Sequence, residues 1–314
     1  MQKPHITPGQ LNWDDLKHFL EVARSRKATV AAARLGVDYT TVSRRIRALE
    51  QALGALLFEK SRGTGFVLTA EGQRLLGFAE TFESTLQAAC EQVSGAGLSL
   101  SGNVRIGSTE GFGSFFVTPQ ISRFQQRYPD ISVDVVAVPH FLSLSKREAD
   151  IAISLERPTS GPYICSRLCD YRLRLYATPA YLAAHRPIGA LGDLEGHPFC
   201  GYVDDLAFSP QLLYLDRVVP RAASRLRSTS VIAQYQAVLQ GDTLGILPCF
   251  LAAPDERLVE VLPEQVEVLR QFWMYYREDL AKLRRITLVA EYLRACAERN
   301  HAFLLGEERS MRFD

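Results

Sequence analysis

Apolar residues recur along the first part of the chain at the spacing of one helix face. Leu16, Phe19, Leu20 and Ala23 predict a first helix, and Asp14 or Asp15 suits its first turn, where the peptide dipoles favour a carboxylate. A second short helix is expected over residues 29–35, stopping at Gly36, a residue suited to a left-handed helix end. Asp38 can cap a third helix whose buried face would be Val42, Ile46, Leu49 and Leu53. The opposite side of that helix carries Thr40, Arg44 and Arg47.

Two short helices joined by a glycine turn, the second presenting hydroxyls and guanidinium groups, suit a reader of the DNA major groove: arginine meets guanine edges or phosphates, and threonine or serine meets either. A charged outer face alone describes many solvated helices. The stretch that follows, LFEKSRGTGFVLT, reads as a hairpin with Lys60 and Arg62 near its tip, as expected of a wing that touches phosphates. Short helix, glycine turn and basic hairpin together favour DNA over the solvated-face reading. The net charge of +1 hides an asymmetry that agrees with this. Residues 1–67 hold 11 Lys and Arg against 6 Asp and Glu, a balance of +5, and the remainder holds 25 against 29, a balance of −4.

From Thr69 the pattern changes. Leu75, Ala79, Phe82, Leu86, Ala89 and Val93 alternate steps of four and three, the seam of a coiled coil, and predict a helix of about 25 residues. Such a seam favours a dimerisation helix over one packed only on its own domain. It should end near residues 94–102, SGAGLSLSG, a hinge or linker by composition. Beyond it the texture is α/β. Strands are expected over residues 103–108, 131–138 and 149–154, with a helix over 115–128 between the first two. Residues 173–177 and 272–276 form two further strand-like runs around a block with its own pattern: strands at 199–203, 244–247 and 258–261, and a helix at 230–239. A helix over 283–297 closes the regular part. A block inserted between two crossing strands implies two α/β lobes with a cleft between them.

The six cysteines are scattered without a C-x-x-C pair, so neither a disulfide framework nor a zinc site is expected. No apolar run approaches a membrane span, and the N-terminus lacks the pattern of a secretory signal, so the expected location is cytoplasmic. Signatures of an enzyme are missing: no G-x-x-x-x-G-K-S/T loop, no H-E-x-x-H, no G-x-S-x-G and no G-x-G-x-x-G. An enzyme fused to a DNA-binding module is thus the weak alternative, and no catalytic residue, metal or cofactor is expected. A second alternative is a cysteine-based redox switch, for which Cys165 and Cys169, with Arg167 between them, are the candidates.

Residues 16–76 resemble the LysR-type transcriptional regulators. The match includes the alanines of the second helix, Val42-Ser43-Arg44, Leu49-Glu50 followed by Leu53-Gly54, Leu57-Phe58, and Leu68-Thr69 followed by Gly72. READIAIS at 147–154 and GDTLGILP at 241–248 resemble the family's sensor domain. The resemblance implies an α/β multidomain chain: a winged helix-turn-helix (12–70), a linker helix that pairs two chains (71–96), and a two-lobed effector domain like a periplasmic binding protein (103–305). Lobe I would span about 103–177 and 272–300, lobe II about 178–271. It also implies a homodimer through the linker helix, a homotetramer, and a promoter site with an inverted repeat on double-stranded DNA. Two departures bear on base preference: Tyr39-Thr40 stands where the family often has Gln-Pro or Gln-Ser, and Ala28-Thr29 where Ser-Phe is common.

By matching position, Tyr39, Thr40, Ser43 and Arg44 are expected to meet bases or adjacent phosphates and Arg62 to serve the wing; Thr41 and Arg47 of the same helix join them as DNA-contact candidates, and Tyr39 could equally be a packed aromatic at the helix start. Ligands of two-lobed α/β domains bind at the carboxyl ends of strands, near helix N-termini that offer free N–H groups. That rule, joined by the resemblance at its first and last places, selects Ser108 and Thr109, His140, Ser154, and Thr229 and Ser230 for a small-molecule effector. Each serine or threonine alone could equally be a helix cap. Glu110 bears on the chemistry, because an anionic effector would compete with its carboxylate, and an amine-bearing or neutral effector stays open.

Overall fold

In the computed structural model of the chain, residues 12–61, 65–94, 100–138, 144, 149–220 and 222–313 are described. They divide into two units, one up to residue 98 and one from residue 99. The first begins with α1 (Trp13–Ser25), α2 (Ala28–Leu35) and α3 (Tyr39–Leu53). Asn12 caps α1 by accepting from the Asp14 amide at 3.0 Å. Gly36 ends α2 in the left-handed region, as expected from its position. Asp38 differs from expectation. It occupies the cap position of α3 with an extended backbone, yet its side chain makes no capping bond, and its carbonyl accepts from Thr41 and Val42 instead.

Val42, Ile46 and Leu49 are buried against Leu16, Phe19, Leu20 and Ala31, the apolar stripe the helix spacing required. Burying each such side chain contributes about 2 kcal/mol. Glu50 ties α3 to the hairpin of β1 (Phe58–Ser61) and β2 (Gly65–Leu68), its Oε1 accepting from the amides of Leu57 at 2.9 Å and Phe58 at 3.3 Å. Thr69 accepts from the Gly72 amide at 3.0 Å and donates to the Leu56 carbonyl, starting α4 (Ala70–Ser94) hard against β1. The approach is close enough that a Cβ at Gly72 would stand 2.1 Å from the Leu57 carbonyl oxygen.

The 25 residues of α4 match the expected length. Its seam is divided. Ala79 is buried and Leu75 and Phe82 pack on the core of their own unit, with Phe82 stacked on Trp13 at 4.5 Å, whereas Leu86 is 54% exposed. The early part of the seam thus packs on its own unit, and Leu86 further along is left uncovered. Arg24 anchors the same region, donating to both carboxylate oxygens of Glu83.

The second unit is built on one nine-stranded mixed sheet. Its strands are β3 (Gly102–Thr109), β4 (Ile131–Val138), β5 (Ile151–Ser154), β6 (Tyr163–Ala177), β7 (Pro198–Gly201), β8 (Ala223–Arg227), β9 (Leu244–Pro248), β10 (Val259–Val261) and β11 (Glu267–Arg277). The order is β4-β3-β5-β11-β6-β9-β7-β8, with β10 on β6. Parallel pairs β3–β4, β3–β5, β7–β8 and β7–β9 form the two lobes, and antiparallel β6 and β11 run through both. The runs expected at 173–177 and 272–276 are only ends of these crossing strands. The continuation of β6 carries Arg167, Asp170 and Arg172, polar residues that break its apolar pattern. Between Arg167 opposite Trp273 and Cys169 opposite Phe272, Leu168 is the extra residue of a β-bulge that bends the strands where the lobes meet.

Helices cover the sheet. The expected helix over 115–128 begins earlier, as α5 (Glu110–Phe112), a π-helical turn (Gly113–Val117) and α6 (Thr118–Arg127). Lobe II holds α7 (Pro179–Ala184), α8 (Leu215–Val218), α9 (Val231–Leu239) and α10 (Cys249–Ala252). Finally α11 (Arg284–Arg299) packs on lobe I through Ile286, Val289 and Leu293, followed by α12 (His301–Leu304).

Candidate nucleic-acid interface and effector cleft

Because α3 buries Val42, Ile46 and Leu49, the helix period turns Tyr39, Thr40, Arg44 and Arg47 outward, and all four are exposed. Among the described residues Arg44 and Arg47 make neither an ion pair nor a hydrogen bond, so their guanidinium groups are available to an anion. Arg45 differs. It reaches back to α1, its Nη1 3.1 Å from Asp15 and its Nη2 3.5 Å from Asp14. Thr41 is half-buried. The Ser43 Oγ is shielded from solvent and has no hydrogen-bond partner among the described residues. Arg62 and His140 lie outside the described residues.

In the second unit, parallel strands of both lobes end at a cleft of about 460 Å³, its open mouth included. Thr109 and Glu110 enter it from the carboxyl end of β3, and Thr229 from the turn before α9. The lobes come close here: a Cβ at Gly111 would stand 2.7 Å from Val231 Cγ1 on α9. The floor is aromatic. Phe272 stacks on Phe112 at 4.1 Å and on Tyr171 at 4.4 Å, and Phe250 meets Tyr171 edge-on at 5.7 Å. Tyr202 and Tyr214 form the far wall, nearly perpendicular to each other, with the Tyr214 hydroxyl donating to the Ile246 carbonyl at 3.1 Å. Burial pushes the phenols of Tyr171, Tyr202 and Tyr214 well above their ordinary range, and the Glu110 carboxylate adds to the shift at Tyr202.

Of the residues expected in this cleft, Thr109 and Thr229 line it. Two others are committed elsewhere: Ser154 donates to the Glu156 carbonyl at 2.6 Å, and Ser230 caps α9 by accepting from the Ala233 amide at 3.0 Å. Ser108 is buried, and its Oγ has no hydrogen-bond partner among the described residues. The strand-end rule leads equally to Tyr202, which follows β7, but the sequence reading did not extend it to that strand. The aromatic floor carries no local signal, because Phe112, Phe250 and Phe272 come from three distant segments.

The redox candidates do not converge. Cys165 and Cys169 lie on one strand four residues apart, about 13 Å at the rise of an extended chain, beyond disulfide reach. Burial raises both thiols, with Arg157 opposing it at Cys165 and Arg167 at Cys169, and also pushes Cys200 up to about 12 and Cys249 up to about 11.

A helix-turn-helix with an unpaired arginine face, carried on one chain with a two-lobed α/β unit closed around a strand-end cleft, defines a DNA-binding regulator with an effector domain. Residues 13–73 match the bacterial regulatory helix-turn-helix protein, lysR family, and residues 98–297 match the LysR substrate binding domain. The chain belongs to the LysR family of transcriptional regulators, and its domains are those of a regulator and not of an enzyme. It is 28% identical over 261 residues to the HTH-type transcriptional regulator PtxR of Pseudomonas aeruginosa, covering 81% of this chain and 82% of that protein. To the HTH-type transcriptional activator TtdR of Escherichia coli K12 it is 27% identical over 296 residues, 91% of this chain and 94% of that one. Among solved structures, full-length OxyR from Pseudomonas aeruginosa shares the fold at a TM-score of 0.68 and 18% identity, covering 93% of this chain and 99% of that chain. CrgA from Neisseria meningitidis does so at 0.56 and 24%, covering 91% and 98%.

Proposed function

We propose that this regulator binds a promoter site of inverted-repeat symmetry as a homodimer paired through α4, assembled further into a homotetramer in the cytoplasm. A small molecule seated between the lobes changes that binding. The observation that carries the DNA contact is the exposed row of Tyr39, Thr40, Arg44 and Arg47 along α3, in which neither arginine has a partner within the described fold. Support for pairing through α4 comes from Phe78 and Leu86, 76% and 54% exposed, large apolar side chains left uncovered on a long helix. No helix among the described residues is long and apolar enough to cross a membrane.

Footprinting on the DNA beside this protein's own gene, with and without candidate metabolites, tests the reading. The expected result is an extended protected region over an inverted repeat that changes with one compound. A folded, oligomeric protein that protects no site there or elsewhere in a genomic selection at moderate salt would sink it.

A further inference from the structure

We propose that the ligand of this cleft is a small organic cation, a protonated amine carried on an apolar body. The proposal deepens the effector reading and rests on it.

Charge decides the class. Among the described residues that line the cleft, Glu110 is the one with a formal charge, and neither arginine, lysine nor histidine joins it. Its Oε2 is shielded from solvent and has no hydrogen-bond partner among the described residues. A buried carboxylate oxygen without a donor is costly, and a ligand ammonium supplies both the missing donor and the opposite charge. Arg270 influences Tyr171 and Tyr214 electrostatically but does not line the cleft. Its Nε and Nη1 are spent on the carbonyls of Gln211 and Leu269. An anionic ligand would therefore meet Glu110 at low local dielectric, with no arginine, lysine or histidine among the described lining residues to receive it.

The walls fit the same class. The aromatic lining gives an apolar surface that takes the rest of the molecule. Thr109 and Thr229 add polar side chains to the same lining.

Calorimetric titration of the full chain with three shape-matched probes, 2-phenylethylamine, 2-phenylethanol and phenylacetate, tests the charge class at fixed ionic strength. The amine should bind tightest and the carboxylate weakest. Glu110→Gln should cost the amine about tenfold in affinity and leave the alcohol unchanged, and Glu110→Asp, which keeps the charge, should recover part of the loss. Unchanged melting temperatures of the unliganded variants separate lost binding from lost folding. Phenylacetate binding as tightly as the amine, no binding of any probe, or amine affinity indifferent to Glu110→Gln would each overturn the proposal. Phe208→Ala, at the cleft wall, keeps the effector reading distinguishable. Alcohol or carboxylate binding that weakens in this variant but not in Glu110→Gln means the cleft stands and the charge class fails. Binding of every probe that ignores both variants means the site lies elsewhere, and both readings fail.

Discussion

Arg45 Nη1 lies 3.1 Å from Asp15 Oδ1, joining the exposed-face helix to the first helix, while its neighbour Arg44 projects into solvent with no partner among the described residues. Adjacent arginines thus have separate duties. Asp15 is buried, so Arg45→Ala would strand a carboxylate, and the partial exposure of Arg45 moderates the cost to about 2 kcal/mol. By hydrogen exchange, amides of α1 and α3 should exchange about 30-fold faster at the level of sub-global opening, with the second unit unaffected. Unchanged protection in both helices would remove the bridge from the account.

Arg44→Ala should behave in the opposite way. Loss of a guanidinium that meets a base edge weakens specific operator binding by about 1–3 kcal/mol. Exchange protection of α3 should match that of the unmodified protein, since Val42, Ile46 and Leu49 hold the helix without it. A gel-shift titration with unchanged affinity would exclude Arg44 from the base contacts.

Gly72 has a third kind of duty. The clash expected of Gly72→Ala is with a backbone carbonyl, Leu57 O, which also accepts from the Thr69 amide at 3.0 Å and cannot swing aside as a side chain would. Overpacking of this kind costs about 2–3 kcal/mol. Limited proteolysis should show earlier cleavage near β1 and the start of α4, and a variant as resistant as the parent would contradict the close approach.

Helix periodicity made the first unit legible nearly residue by residue, because one-sided burial leaves a stripe such as Val42, Ile46 and Leu49 in the sequence itself. In the second unit the same logic found β3, β4 and α9 but only the ends of β6 and β11, whose outer faces carry arginines, and missed the exposed edge strand β8. Thr109 and Thr229 were reachable from the strand-end rule. Ser154 and Ser230 bond backbone groups and are absent from the lining, and a hydroxyl that bonds its own backbone looks, in sequence, like one that faces a ligand. The meeting of Phe112, Tyr171 and Phe272 depends on long-range pairing that no local pattern encodes.

Acid should weaken the second unit through His197. Its ring is buried beside Tyr181, Nδ1 2.7 Å from the Tyr181 hydroxyl, and Nε2 has no partner among the described residues. A neutral ring accepting the phenol proton at Nδ1 suits this geometry, whereas a protonated ring would need a second acceptor and would carry charge into a buried site. Burial, with Arg186 and His185 nearby and only Asp193 opposing, lowers the His197 pKa below its ordinary value of 6.5. The unfolded chain then binds the proton more readily than the folded one, so stability rises with pH across this interval. It should be full above about pH 6.5 and decline as pH falls from there towards the folded-state value. Asp193, whose carboxyl is held below its ordinary range by the amides of Gly189 and Ala190, loses its contribution only in more acid solution and is separable. Urea unfolding of the full chain at pH 7.5 and 5.5, followed by a probe in lobe II, should show a lower midpoint at pH 5.5 that His197→Gln largely abolishes. The same acid loss in the variant would assign the effect to other groups.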